Sequence, residues 1–89
     1  MVSNKLNEKL IAKEFVSEET SISATYGTLI AFPDGFIPNG YKIAGSNISG
    51  TGNSSCIVRA VTGQGINVQN FSSSTQKAII KITCLLLKM

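Results

Sequence analysis

The chain contains no histidine and no tryptophan. Without histidine it lacks the commonest general base and the commonest metal ligand. A Ser-His-Asp or Cys-His arrangement is therefore impossible within this chain. Charge is scarce too: 15% of the residues are charged, against about 25% in ordinary soluble domains. Few charges leave few devices for keeping a surface monomeric. Arg59 is the single arginine, and the seven lysines are scattered without interleaved aromatics. That is poor equipment for bidentate phosphate or base contacts, or for a stacking platform, so nucleic acid is not an expected partner. No run of about 20 apolar residues exists to cross a membrane as a helix. The opening Met1–Leu10 segment carries Lys5, Glu8 and Lys9 where a secretory leader has its apolar centre. The expectation is a chain made in the cytoplasm, or a fragment of a longer one.

Acidic groups number five, namely Glu8, Glu14, Glu18, Glu19 and Asp34. A pair such as Glu14 and Glu18 has glycosidase chemistry in principle, but solvated surface charge is the simpler account. Asp34 sits in a turn, where its ordinary task is to bond its own backbone. The glycine pairs Gly50/Gly52 and Gly63/Gly65 lack the lysine and following helix of a phosphate loop. The loops lack the clustered carboxylates that calcium needs. No cofactor, metal or catalytic residue is expected, and the chain reads as a non-enzyme. Cys56 and Cys84 match no zinc or redox spacing. Cys84 falls in phase with Ala78, Ile80, Ile82 and Leu86, which favours a buried free thiol; a Cys56–Cys84 disulfide is the alternative in an oxidising space.

What is present is serine, threonine, asparagine and glycine, set between short apolar runs. Thr28–Phe32 reads as a strand that ends at Pro33-Asp34-Gly35. Pro38-Asn39-Gly40 is a second turn of the same chemistry. Strands are expected at Tyr41–Gly45, Cys56–Val61 and Ile66–Phe71, with Ser49–Asn53 and Ser72–Thr75 as loops. In Ile66–Phe71 the residues Ile66, Val68 and Asn70 alternate with Asn67, Gln69 and Phe71. Lys77–Lys88 is the clearest strand. It has one apolar face along Ala78, Ile80 and Ile82, and becomes apolar on both faces through Leu85, Leu86 and Leu87. A strand apolar on both faces is covered on both, and in so small a chain a neighbouring subunit would supply the second cover. Leu85 and Leu87 are accordingly the expected oligomer interface.

The N-terminal part reads two ways. Lys5, Leu6, Lys9, Leu10 and Lys13 have helical spacing after Asn4 as a cap, yet Leu10–Val16 also serves as a strand. Thr20–Tyr26 is a strand, or an extended loop anchored at Ile22. Turns every 8–12 residues between short strands point to a sandwich or a barrel. Asn47, Asn53 and Asn70 stand in Asn-x-Ser sequons, which matter only in a protein secreted by a eukaryote. Tyr26, Tyr41 and Gln64 are plausible contact residues, as equally they are ordinary strand and turn residues. The exposed loops around Asn47–Asn53 and Thr62–Gly65 nominate Asn47, Asn53 and Gln64 as binding candidates.

One family resemblance follows. Phe32-Pro33-Asp34-Gly35-Phe36-Ile37-Pro38 resembles the φ-P-x-G-φ-x-P turn of small β-domains at the C-terminal ends of bacteriophage and prophage tail-fibre or minor structural proteins. The likeness continues through a strand at Tyr41–Asn47, a Gly/Ser loop, and two strands around a glycine turn. It extends to Asn70-Phe71-Ser72-Ser73-Ser74, similar to an N-x-S-S-S corner, and to the final strand Ala78–Lys88. It covers residues 10–89. The three consecutive leucines replace an expected Tyr or Ile, and the first eight residues have no counterpart. The resemblance implies an all-β fold, a small antiparallel β-sandwich of jelly-roll type over residues 10–89, preceded by an arm over residues 1–9. It also implies a virion protein made in the host bacterial cytoplasm. Such a protein would be a homo-oligomer, with a trimer favoured. It would form a tail-fibre, baseplate or head-fibre tip, and some such domains touch cell-surface carbohydrate. The second expectation is a stand-alone carbohydrate-binding module of a secreted bacterial protein, against which the lack of tryptophan counts.

Overall fold

The structure is a computed structural model that describes residues 9–24 and 26–89. Those residues form eight strands: β1 Leu10–Val16, β2 Thr20–Ile22, β3 Thr28–Ala31, β4 Tyr41–Gly50, β5 Cys56–Thr62, β6 Gly65–Asn70, β7 Gln76–Ala78 and β8 Lys81–Lys88. All pairings are antiparallel. Three sheets result, ordered β1-β8-β4, β2-β7 and β3-β6-β5. The chain is all-β, as a small β-sandwich is. The pairs β1–β8, β2–β7 and β3–β6 are nested, first with last, in the manner of a jelly roll. β4 then joins β8, and β5 joins β6. The helical alternative is replaced by strand over Leu10–Val16; its remainder, with most of the expected arm, lies outside the described residues.

Period-2 alternation explains the core. On β8, Ile82, Cys84 and Leu86 are buried while Lys81 and Leu85 are exposed. On β6, Ile66, Val68 and Asn70 are buried, the set that alternation picks out. Ile22 from β2, Ile30 from β3, Cys56 from β5, Ala78 from β7, and Phe36 and Ile80 complete the same cluster. Each fully buried Ile or Leu stabilises the fold by roughly 1.5–3 kcal/mol. Both cysteines are buried and free, and burial raises both thiol pKa values.

Two turns of one design lie on either side of Phe36 and Ile37. Phe36 N–H donates to Pro33 O at 3.0 Å, and Tyr41 N–H to Pro38 O at 3.1 Å. Gly35 and Gly40 occupy the third position with φ of 80° and 82°, a conformation open to glycine and costly elsewhere. The reversal places Phe36 against Phe15 and Phe32. Phe15 meets both rings edge-on, at 5.2 and 5.6 Å, while Phe32 and Phe36 stack at 4.6 Å. Lys13 faces inward beside them, with its Nζ 4.7 Å from the Phe36 ring centroid and donating to Phe36 O at 2.7 Å. The charge is thus satisfied by a carbonyl and an aromatic face.

Sequence and structure differ at several strand ends: β6 runs Gly65–Asn70 and leaves out the expected Phe71, β5 gains Thr62, and three further strands differ as follows. The run Lys77–Lys88 is not one strand but two, broken at Ile79–Ile80. There, Ile80 N–H donates to the Ser17 hydroxyl instead of a backbone carbonyl, and Ile79 N–H donates to Thr51 O. The break lets the ribbon turn a corner between sheets. β4 runs five residues past the expected Gly45, because bulges at Ala44 and Ser49 keep it paired along β8; the loop begins only at Thr51. Phe32 leaves β3, although its N–H still donates to Gln64 O at 3.1 Å.

Candidate functional site

The central strands of the two three-stranded sheets differ in what they turn outward. In β3-β6-β5, the central strand turns Asn67 and Gln69 outward, and Arg59 on the β5 bulge bonds the Gln69 side chain. That strand is polar outside, although Leu29 and Ile57 on its two neighbours lie exposed beside Asn67 and Gln69. In β1-β8-β4, the central strand turns Thr83, Leu85 and Leu87 outward. Register places Leu10 beside Leu87 and Ala12 beside Leu85 on β1, and Lys42, Gly45 and Asn47 beside Leu87, Leu85 and Thr83 on β4. Leu85 is 39% exposed, with Ala12 and Gly45 low on either side of it. Gly45, Ser46, Asn47, Thr83 and Leu85 line a shallow depression of about 270 Å³. Within one chain β8 is covered on its inner side only.

The structure therefore brings two of the sequence candidates together. Asn47, expected near a loop, is exposed on β4 and shares the depression with Leu85. Leu87 is half-buried one row further along.

Asn53 has a different occupation. Its Nδ2 donates to Gln76 Oε1 at 3.1 Å and to Lys77 O at 3.0 Å, and its Oδ1 accepts from Ser55 N–H at 2.9 Å. Thr51 Oγ1 donates to Asn53 O at 2.7 Å. The amide ties the β4–β5 loop to β7. Gln64 lies exposed at the tip of the β5–β6 hairpin, more than one strand away from that tie. Its backbone is engaged: the N–H donates to Thr62 Oγ1 at 3.2 Å. Asn70 is buried, its Nδ2 donating to Ile22 O and Ser74 O and its Oδ1 accepting from Ser72 N–H. Of the three sequons, only that of Asn47 has an exposed asparagine. Tyr26 is 75% exposed, whereas Tyr41 packs against the core.

Sequence reasoning missed a second concavity. A groove of about 370 Å³ opens between the edges of β1 and β3, with Phe15, Ser17, Glu18 and Thr20 on one wall and Ile30 and Pro33 on the other. Its formation depends on long-range pairing, which local patterning does not encode. The carboxylates are dispersed. Glu14 is on the outer face of β1, Glu18 at the groove, and Glu19 3.8 Å from Lys77 Nζ in an exposed ion pair. Among the described residues, no three His, Cys, Asp or Glu side chains cluster to hold a metal, and no helix is long and apolar enough to cross a membrane.

No protein-family model matches the chain, and neither the curated proteins nor the solved structures contain a significant match to it.

Proposed function

We propose that the chain is a non-enzymatic structural module of a bacteriophage virion, a tail-fibre, baseplate or head-fibre tip that works as a homo-oligomer and aids host attachment. The observation that carries the reading is the outward side of β8, where Leu85 and Leu87 occupy positions that a solvated sheet gives to polar residues. Apolar area left open in a chain of 89 residues is stabilising only when a neighbour covers it. The turn pattern around Pro33 and Pro38 and the Asn70–Ser74 corner support the phage resemblance, which implies three copies. The test is the solution mass of the intact protein by light scattering after size exclusion. A defined oligomer is the expected result. A monomer at every concentration overturns the reading and moves the carbohydrate-binding module of a secreted bacterial protein to the front.

A further inference from the structure

Register sets the outward positions of β1-β8-β4 on a grid. The first row is Leu10, Leu87 and Lys42; the second is Ala12, Leu85 and Gly45; the third is Glu14, Thr83 and Asn47; a fourth, Val16, Lys81 and Gly50, continues the face beyond them. In the first three rows the large Leu85 stands between the small Ala12 and Gly45, and the charged residues at two corners, Glu14 and Lys42, are of opposite sign and diagonally opposed. Neither has an ion-pair partner among the described residues.

We infer that this face binds a second copy of itself about a two-fold axis lying along the diagonal Leu10–Leu85–Asn47. The rotation stacks the sheets face to face with strands near right angles, one of the two ordinary arrangements. Leu10, Leu85 and Asn47 each meet their own counterpart, and an amide facing an amide supplies donor to acceptor both ways. Leu87 lies over Ala12, and Thr83 over Gly45, so each larger side chain fills the space above a smaller one. Glu14 faces Lys42, twice per pair. Rows about 6.8 Å apart and strands about 4.8 Å apart leave offsets of about 2–3 Å, within side-chain reach. Other two-fold axes fit worse. An axis along β8 stacks Leu87 on Leu87, leaves a void between Ala12 and Gly45, and sets Lys42 on Leu10. An axis across the strands sets Glu14 on Leu10. A three-fold ring requires two different patches on each copy, whereas this face is matched to itself. The inference rests on the self-assembly proposed above but replaces three copies by two. The patch is smaller than a standard interface, so the pair dissociates on dilution.

The experiment is sedimentation equilibrium of the full chain from about 1 μM to about 1 mM, with charge-exchange variants. The native chain should pass from monomer to dimer. Glu14→Lys and Lys42→Glu should each weaken the dimer about tenfold by placing like charges together. The double exchange should restore the native constant, which a folding defect in either single variant cannot do. A dimer indifferent to the exchanges, or single losses without rescue, overturns this axis. A trimer overturns the two-fold pairing and leaves the virion reading standing. A monomer throughout overturns both.

Discussion

Ser17 and Ile80 exchange two hydrogen bonds, and one of them uses a side chain where the sheet uses a backbone group. Ser17 N–H donates to Ile80 O at 2.8 Å, and Ile80 N–H donates to Ser17 Oγ, also at 2.8 Å. The same hydroxyl donates to Glu18 O at 2.9 Å. The paired segments Leu10–Ile22 and Gln76–Lys88 thereby bend between β1–β8 and β2–β7 without leaving a buried amide unpaired. Ser17→Ala strands the Ile80 N–H, so urea unfolding should show a loss of about 1–3 kcal/mol. A loss below about 0.5 kcal/mol would mean that the amide finds another partner and the serine does not hold the corner.

Gly65 is required by a close approach. A Cβ there would overlap Ile30 O and crowd Ala31 Cα, on the strand it pairs with. Gly65→Ala should cost at least about 3 kcal/mol, because both obstacles are backbone. Gly63, one position before Gln64 in the same hairpin, has open space around it, and Gly63→Ala should change stability by less than about 1 kcal/mol. Equal effects from the two substitutions would contradict the β3–β6 approach.

Asn53 and Gln64 separate a structural amide from a free one. Asn53→Ala removes bonds to Gln76, Lys77 and Ser55 and should lower stability by about 1–2 kcal/mol. Gln64→Ala should leave the unfolding midpoint within about 0.5 kcal/mol of native. A neutral Asn53→Ala would show that the β4–β5 loop is not held by this residue.

The thiols of Cys56 and Cys84 should be inert in the folded chain. Burial pushes both thiol pKa values up from the ordinary cysteine value. The unfolded chain therefore loses its thiol protons first as pH rises. Their contribution to stability is complete below about pH 8.5 and declines above it, through the raised folded values. Labelling by an aromatic disulfide reagent at neutral pH should be slow, and should accelerate with denaturant in step with unfolding. Fast labelling of native protein would contradict the burial.

Much of this architecture is legible in the sequence where a local rule sets it. Gly35 and Gly40 mark their turns because φ near +80° selects glycine. Ile66, Val68 and Asn70 declare an inward face by alternation, and Asn70 declares the Ser72–Ser74 corner that its amide ties. What escapes is set at a distance. Ser17 reads as a loop residue until Ile80 is placed beside it, sixty-three positions away. The extension of β4 past Gly45 depends on bulges opposite β8. The Phe15–Phe32–Phe36 cluster depends on the Pro33 turn folding back on β1. The candidate assembly face was half visible: Leu85 and Leu87 show in the leucine run, but the small and charged residues around them become neighbours only through register.

The most direct test of the account is a methyl-resolved NMR dilution series on the native chain. It predicts that the methyl resonances of Leu10, Ala12, Leu85 and Leu87 shift together with concentration, along one binding curve, while those of Leu29 and Ile57 on the opposite sheet and of buried Ile22 stay fixed. Concentration-dependent shifts centred on Leu29 and Ile57, or none at all up to about 1 mM, would contradict the assignment of the β1-β8-β4 face as the surface where copies meet.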